Sequence, residues 1–152
     1  MEVDWSRFAE DYDVAVVVLS RDRAEVLARL TDKVVPDYHL FWCGEGYDRE
    51  YRGAIARHEV PSGVAGLSAV RNYALRQLSQ KVVIFIDDDV RSIAYTHSDH
   101  YAYLDRAQVQ LMLLNLVVNS EDLGAKVFGI SEFDIRKATP LYPFRLRAVM
   151  GG

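Results

Sequence analysis

The sequence predicts an α/β protein: a three-layer α/β/α sandwich around a mostly parallel sheet. Three observations point there. The runs "DVAVVVLS" (13–20), "YHLFWC" (38–43) and "KVVIFI" (81–86) are continuously apolar, as strands buried on both faces are. Segments with apolar residues at helical spacing lie between them. No repeat, low-complexity tract or Pro/Gly-rich linker breaks the alternation.

The elements follow in order. "MEVDWSRFAEDYD" is acidic and aromatic and unlike a signal peptide. After the 13–20 strand, "RDRAEVLARLTDK" puts Ala24, Leu27 and Leu30 at helical spacing, with Asp22 expected in the first turn near the positive end of the dipole. "YHLFWC" is the second strand, closed by "GEG", and "GAIARHEV" (53–60) reads as a short third. The small-residue loop "PSGVAG" leads into "LSAVRNYALRQLSQ", where Leu67, Val70, Ala74 and Leu78 share a helical face. "KVVIFI" ends on three aspartates. "DRAQVQLMLLNLVVNSE" is a long, mostly apolar helix capped by Asp105, with its 109–118 stretch expected in the core. "AKVFGI" (125–130) reads as a further strand, and the pattern is irregular after Pro140.

The chain has 152 residues, the size of one domain, and 1–152 is read as one. Half of its residues are hydrophobic, enough for a core. The net charge of −4 argues against a strongly basic nucleic-acid surface, although arginine outnumbers lysine and leaves a local basic groove open. A single cysteine, Cys43, excludes an internal disulfide framework and fits a reducing compartment. No apolar run reaches the roughly 20 residues of a membrane span. A cytoplasmic location is expected.

The aspartates in "VVIFIDDDVRS" (82–92) pose the chemical question. Three adjacent carboxylates repel, more so as water is withdrawn. Either a positive group lies near them or they stay solvated. In parallel α/β sheets ligands bind beyond the carboxyl ends of the strands, which selects the loops at 20–22, 43–48, 61–66 and 87–92. Extended backbone would put Asp87 and Asp89 on one side, roughly 7 Å apart, with Asp88 facing away. Mg²⁺ or Mn²⁺, held by such carboxylates and by substrate phosphates, would relieve the repulsion. The plainer reading is a polar strand end and turn, with a carboxylate capping nearby N–H groups.

A small-residue loop, a helix carrying Arg71-Asn72 with Val70, Ala74 and Leu75, and a strand ending in Asp87–Asp89 together resemble the nucleotide-sugar glycosyltransferases of GT-A fold, family 2-like. "VAVVVLSRDRAEVLARL" resembles that family's first strand, nucleotide-contacting loop and first helix. The resemblance covers residues 13–91 and fades after Asp105. It implies a nucleotide-diphosphate sugar donor, most simply a UDP-sugar. Ser20 and Arg21 would line the nucleoside pocket, and Glu45 or Asp48 would stand near the base. Arg71 would lie near the diphosphate. Asp87 would approach the ribose or the metal, and Asp89 would ligate the metal at the reacting end. Asp88 would sit behind them or in solvent. The metal, Mn(II) or Mg(II), would act as a Lewis acid on the leaving diphosphate.

The ending "YPFRLRAVMGG" and the short first half also resemble the TET-associated glycosyltransferases of phages and metagenomes, which implies a hydroxymethylated base in DNA as the hydroxyl acceptor. The family's catalytic base lies in an acceptor half after the Asp-x-Asp. Here "RAVMGG" resembles the entry to that half, and Glu132 and Asp134 are the acidic residues available after the long helix. Nothing in the spacing selects between them. The chain then reads as a donor-binding half, a compact minimal enzyme or a degenerate relative.

Each candidate has a plainer role. Arg71 can simply pair with a carboxylate, and Asn72 can serve as a structural hydrogen-bonding residue. Ser20 and Glu45 can be turn residues. His97 and His100 invite a zinc reading, but no further His or Cys lies at zinc-site spacing. Cys43 reads as a small buried hydrophobe. Among other functions, nucleotidyl transfer expects a Gly-rich basic loop after the first strand, which "LSRDRAE" lacks. A dinucleotide enzyme expects G-x-G-x-x-G there. A non-catalytic nucleotide- or protein-binding module of the same fold is the alternative outside enzymes.

Overall fold

The structure, a computed structural model, describes residues 4–30, 37–90, 92–97 and 100–126. The elements are α1 (Trp5–Asp11), β1 (Val14–Arg21), α2 (Ala24–Leu30), β2 (Tyr38–Cys43), β3 (Ala54–Glu59), α3 (Leu67–Gln77), β4 (Val82–Asp87), a hairpin of β5 (Ala94–His97) and β6 (His100–Tyr103), and α4 (Arg106–Asp122). Among the described residues four strands form one sheet in the order β3-β2-β1-β4, and all three pairings are parallel. Helices pack on both faces. The expected three-layer α/β/α sandwich is therefore present, with the Rossmann/GT-A-like topology of a parallel sheet.

β1 is central, and its run of valines explains why. A strand covered on both faces needs apolar side chains at every position, and residues 14–18 are all buried. Val14, Val16 and Val18 face one core with Leu40, Ile84 and Ile86, which Phe8, Ala24, Leu27, Val109, Leu113 and Val117 cover from α1, α2 and α4. Val17 and Phe41 face the other, smaller core with Val60 and Ala74, under α3.

Helix α1 and the β5–β6 hairpin were not legible as elements. α1 is seven residues long and is fixed by the Asp4 cap, whose carboxylate accepts from the Arg7 N–H, and by buried Trp5 and Phe8. The hairpin backbone pairs His97 with His100. Asp105 caps α4 as expected, in a reciprocal box with Gln108. Asp22 is not in the first turn of α2. It precedes that helix at φ 51°, its N–H donating to the Cys43 carbonyl, and Glu25 takes the first-turn position. Gly44, at φ +101°, lets the Asp22 side chain lie where a Cβ would be. The strand expected at 125–130 falls largely outside the described residues, and Glu132, Asp134 and the 142–152 ending fall entirely outside them.

β3 is an edge strand among the described residues. Its register against β2 slips between Tyr38 and His39, leaving Ile55 bulged and 64% exposed. Beyond the bulge, His58 stacks on Phe41 with ring centroids 4.3 Å apart, and its Nε2 lies 3.4 Å from Nδ1 of His39. Burial pushes both imidazoles below their usual value of 6.5, and for His39 the neighbouring His58 adds to it. The native state thus resists protons that the unfolded chain accepts. Stability is expected to be level above about pH 6.5 and to fall as pH drops below it, because the unfolded state binds more protons there. Urea midpoints at pH 7.5 and 5.5 check this. His58→Phe, which keeps a ring on Phe41, should flatten the difference, and an unchanged difference would contradict the assignment.

Candidate functional site

The carboxyl edge of the sheet gathers the loops after β1, β2 and β4 and the middle of α3. β4 ends at Asp87, so the alternation of an extended strand stops there, and Asp88 and Asp89 belong to a turn. Asp87 continues the row of Val83 and Phe85 toward α3. It meets Arg71, whose Nη2 is 3.5 Å from the carboxylate. Asp88 turns to the opposite side and is 5% exposed. Asp89 is outside, and shares Arg23 with Asp88 at 3.2 and 3.3 Å. Asp87 and Asp89, expected on one side, pair with different arginines, whereas Asp88, expected to face away and to sit behind them or in solvent, does face away from Asp87 and is buried.

The repulsion among the three carboxylates is thus relieved by two guanidinium groups of the chain itself. Arg71 comes from α3, lies 5.8 Å from the Phe85 ring centroid and keeps a buried Nε without a hydrogen-bond partner. Arg23 comes from the loop after β1.

Asp88 is held further. The Ser20 hydroxyl donates to it at 2.7 Å, and the same oxygen lies 2.6 Å from the Tyr47 hydroxyl. A serine has one proton to give, so with Ser20 donating to Asp88 the tyrosine donates to Ser20. The Arg23 backbone N–H donates to Tyr47 at 3.0 Å. The result is a closed ring: Arg23 N–H to Tyr47, Tyr47 to Ser20, Ser20 to Asp88, and the Arg23 guanidinium back to Asp88. Tyr47 is 2% exposed and stacks on Trp42 at 5.1 Å. Burial pushes its hydroxyl pKa up, so it stays a donor.

Of the residues expected at a site, Ser20, Arg71, Asp87, Asp88 and Asp89 come to this edge. Ser20 is buried in the ring rather than open to a ligand. Arg21 is exposed, 3.9 Å from the Asp22 carboxylate. Glu45 is exposed between Gly44 and Gly46, both at positive φ. Asn72 is exposed on α3, and Cys43 is half-buried. Arg23 lies within the stretch that resembles a nucleotide-contacting loop and first helix, one residue past the edge loop selected at 20–22, and Tyr47 lies in the loop selected at 43–48, but neither residue was singled out.

Three comparisons with known proteins bear on identity. No family model, no curated protein and no solved structure matches the chain. What stands is a Rossmann-like α/β/α sandwich, an architecture that accommodates nucleotides and hosts many functions.

The residues present do not make a closed metal site. Among the described residues no three His, Cys, Asp or Glu side chains group to hold an ion. Asp87 and Asp89 are oxygen donors of the kind Mg²⁺ or Mn²⁺ takes, but each carboxylate already faces a guanidinium. No described helix is long and apolar enough to cross a membrane.

Proposed function

We propose that this chain binds a nucleotide at the carboxyl edge of the sheet, through the nucleotide's diphosphate. The observation that carries the reading is that Arg71 from α3 and Arg23 from the loop after β1 each pair with a carboxylate of the 87–89 segment where β4 ends. Planar guanidinium forks match phosphate oxygens, and the edge is where open parallel sheets take ligands. The diphosphate would lie against the arginines, and the loops carrying Arg21 and Glu45 would lie toward the nucleoside. Binding of UDP, GDP or ADP in excess is expected to raise the melting temperature. By mass action, a concentration 100 times Kd gives about 2.7 kcal/mol. No rise with any of the three at millimolar concentration, with or without Mn²⁺, overturns the reading.

A second reading is metal-dependent glycosyl transfer from a UDP-sugar to a hydroxyl acceptor, a hydroxymethylated base in DNA among the candidates. The contact of Arg71 with Asp87 favours it, since the helix and the acidic strand end that carry the resemblance meet. To hold Mn(II) or Mg(II), Asp87 and Asp89 would have to exchange their guanidinium partners for the ion, which would supply Lewis acidity to the leaving diphosphate. Ser20 and Asp88 would keep the loops in place, and Glu132 or Asp134 would take the acceptor's proton. Release of UDP from a UDP-sugar in the presence of Mn²⁺ separates this enzyme from a binding module.

A further inference from the structure

Arg23 was not singled out in the sequence, yet both of its ends are fixed. Its backbone N–H is held by Tyr47 and its side chain by Asp88 and Asp89. Both carboxylate contacts use Nη1 alone. Among the described residues, Nε and Nη2 have no protein partner. These two nitrogens form the parallel donor edge with which a guanidinium grips a phosphate. The other members of the ring are buried, whereas the Arg23 side chain is 53% exposed. The ring therefore ties three loops together through buried groups and leaves one cation held in a fixed direction at the surface.

We propose that Arg23 is a phosphate-binding residue of this edge, offering its Nε–Nη2 face to the ligand, and that Tyr47 is its positioning residue. The proposal rests on the nucleotide reading for the identity of the anion. Nη1 stays on Asp88, so the ligand meets donors that are already oriented. Tyr47 acts through the Arg23 backbone and touches no ligand.

The test is calorimetric titration of the full chain, in metal-free buffer, with inorganic pyrophosphate, UDP and uridine. Arg23→Gln should weaken pyrophosphate and UDP by about tenfold or more and leave uridine unchanged, since a charge-assisted bidentate contact is lost. Arg23→Lys should recover only part, because an ammonium lacks the fork. Tyr47→Phe keeps its ring on Trp42. It should weaken pyrophosphate about three- to tenfold, with no further loss when combined with Arg23→Gln. Asp89→Asn, at an exposed position, removes a carboxylate near the anion and should tighten pyrophosphate, which tests the proposal even if the Tyr47 variant does not fold. Pyrophosphate affinity unaltered by Arg23→Gln, losses that multiply in the double variant, or weaker binding by Asp89→Asn would each overturn it. If wild type binds UDP and Arg23→Gln binds it equally, this proposal falls and the nucleotide reading stands. If pyrophosphate binds through Arg23 but no nucleotide binds, the reverse holds. If wild type binds neither pyrophosphate nor UDP, both fall.

Discussion

Replacing Phe41 by alanine is expected to cost about 3–5 kcal/mol, the usual range for a fully buried aromatic ring. Phe41 is fully buried on β2, with His58 stacked on one side and Tyr73 of α3 meeting it edge-on at 6.3 Å. Among the described residues, the core on this face has four buried residues, against sixteen on the other. Removing the largest of the four takes away the main buried ring under α3 and leaves it resting on smaller or partly exposed neighbours such as Val83 and Phe85. The loss should therefore be uneven: amide exchange in α3 should rise well before that in β1 and β2. Urea denaturation gives the total and hydrogen exchange gives the distribution. A total loss under about 1 kcal/mol, or protection lost equally across the sheet, would show that α3 does not depend on this ring. Because Arg71 rides on α3, the variant should also lose the contact with Asp87.

The three aspartates should differ sharply when each is changed to alanine. Asp88→Ala is expected to cost about 2–3 kcal/mol, because it removes a buried acceptor of bonds from Ser20 and Arg23 and leaves the serine hydroxyl unpaired. Asp87→Ala and Asp89→Ala remove carboxylates that are 63% and 61% exposed, each paired with an arginine that is itself partly in water. Such pairs contribute about 0–1 kcal/mol. Asp88→Asn should lie between these limits, since an amide oxygen still accepts from Ser20. Urea midpoints of the four variants decide it. Asp87→Ala as damaging as Asp88→Ala would mean that the ring does not hold the edge together.

Much of the architecture was readable because it is local. The valines of β1 announce a strand covered on both faces, and Asp105 ahead of a long apolar run announces the start of α4. The site was readable in part. A carboxylate triplet after an apolar run marks the edge of a sheet, but which carboxylate is buried depends on where β4 stops. The strand gives way to a turn after Asp87, and no periodicity encodes that. Arg23 and Tyr47 were invisible for a different reason. Their bonds join residues 24, 27, 65 and 66 positions apart, so the partners appear only once the strands are side by side. α1 escaped notice because its seven residues hold too little of a period to read.

The displaced register at Ile55 has an effect on how molecules meet. A straight outer strand offers a neighbour a regular row of amide and carbonyl groups on which fibrils can grow. Here that row is kinked near its beginning, and exposed Arg57 and Glu59 follow on the same strand. Among the described residues, a second copy lengthening the sheet from this side would meet a bend and then charge, which disfavours edge-to-edge pairing.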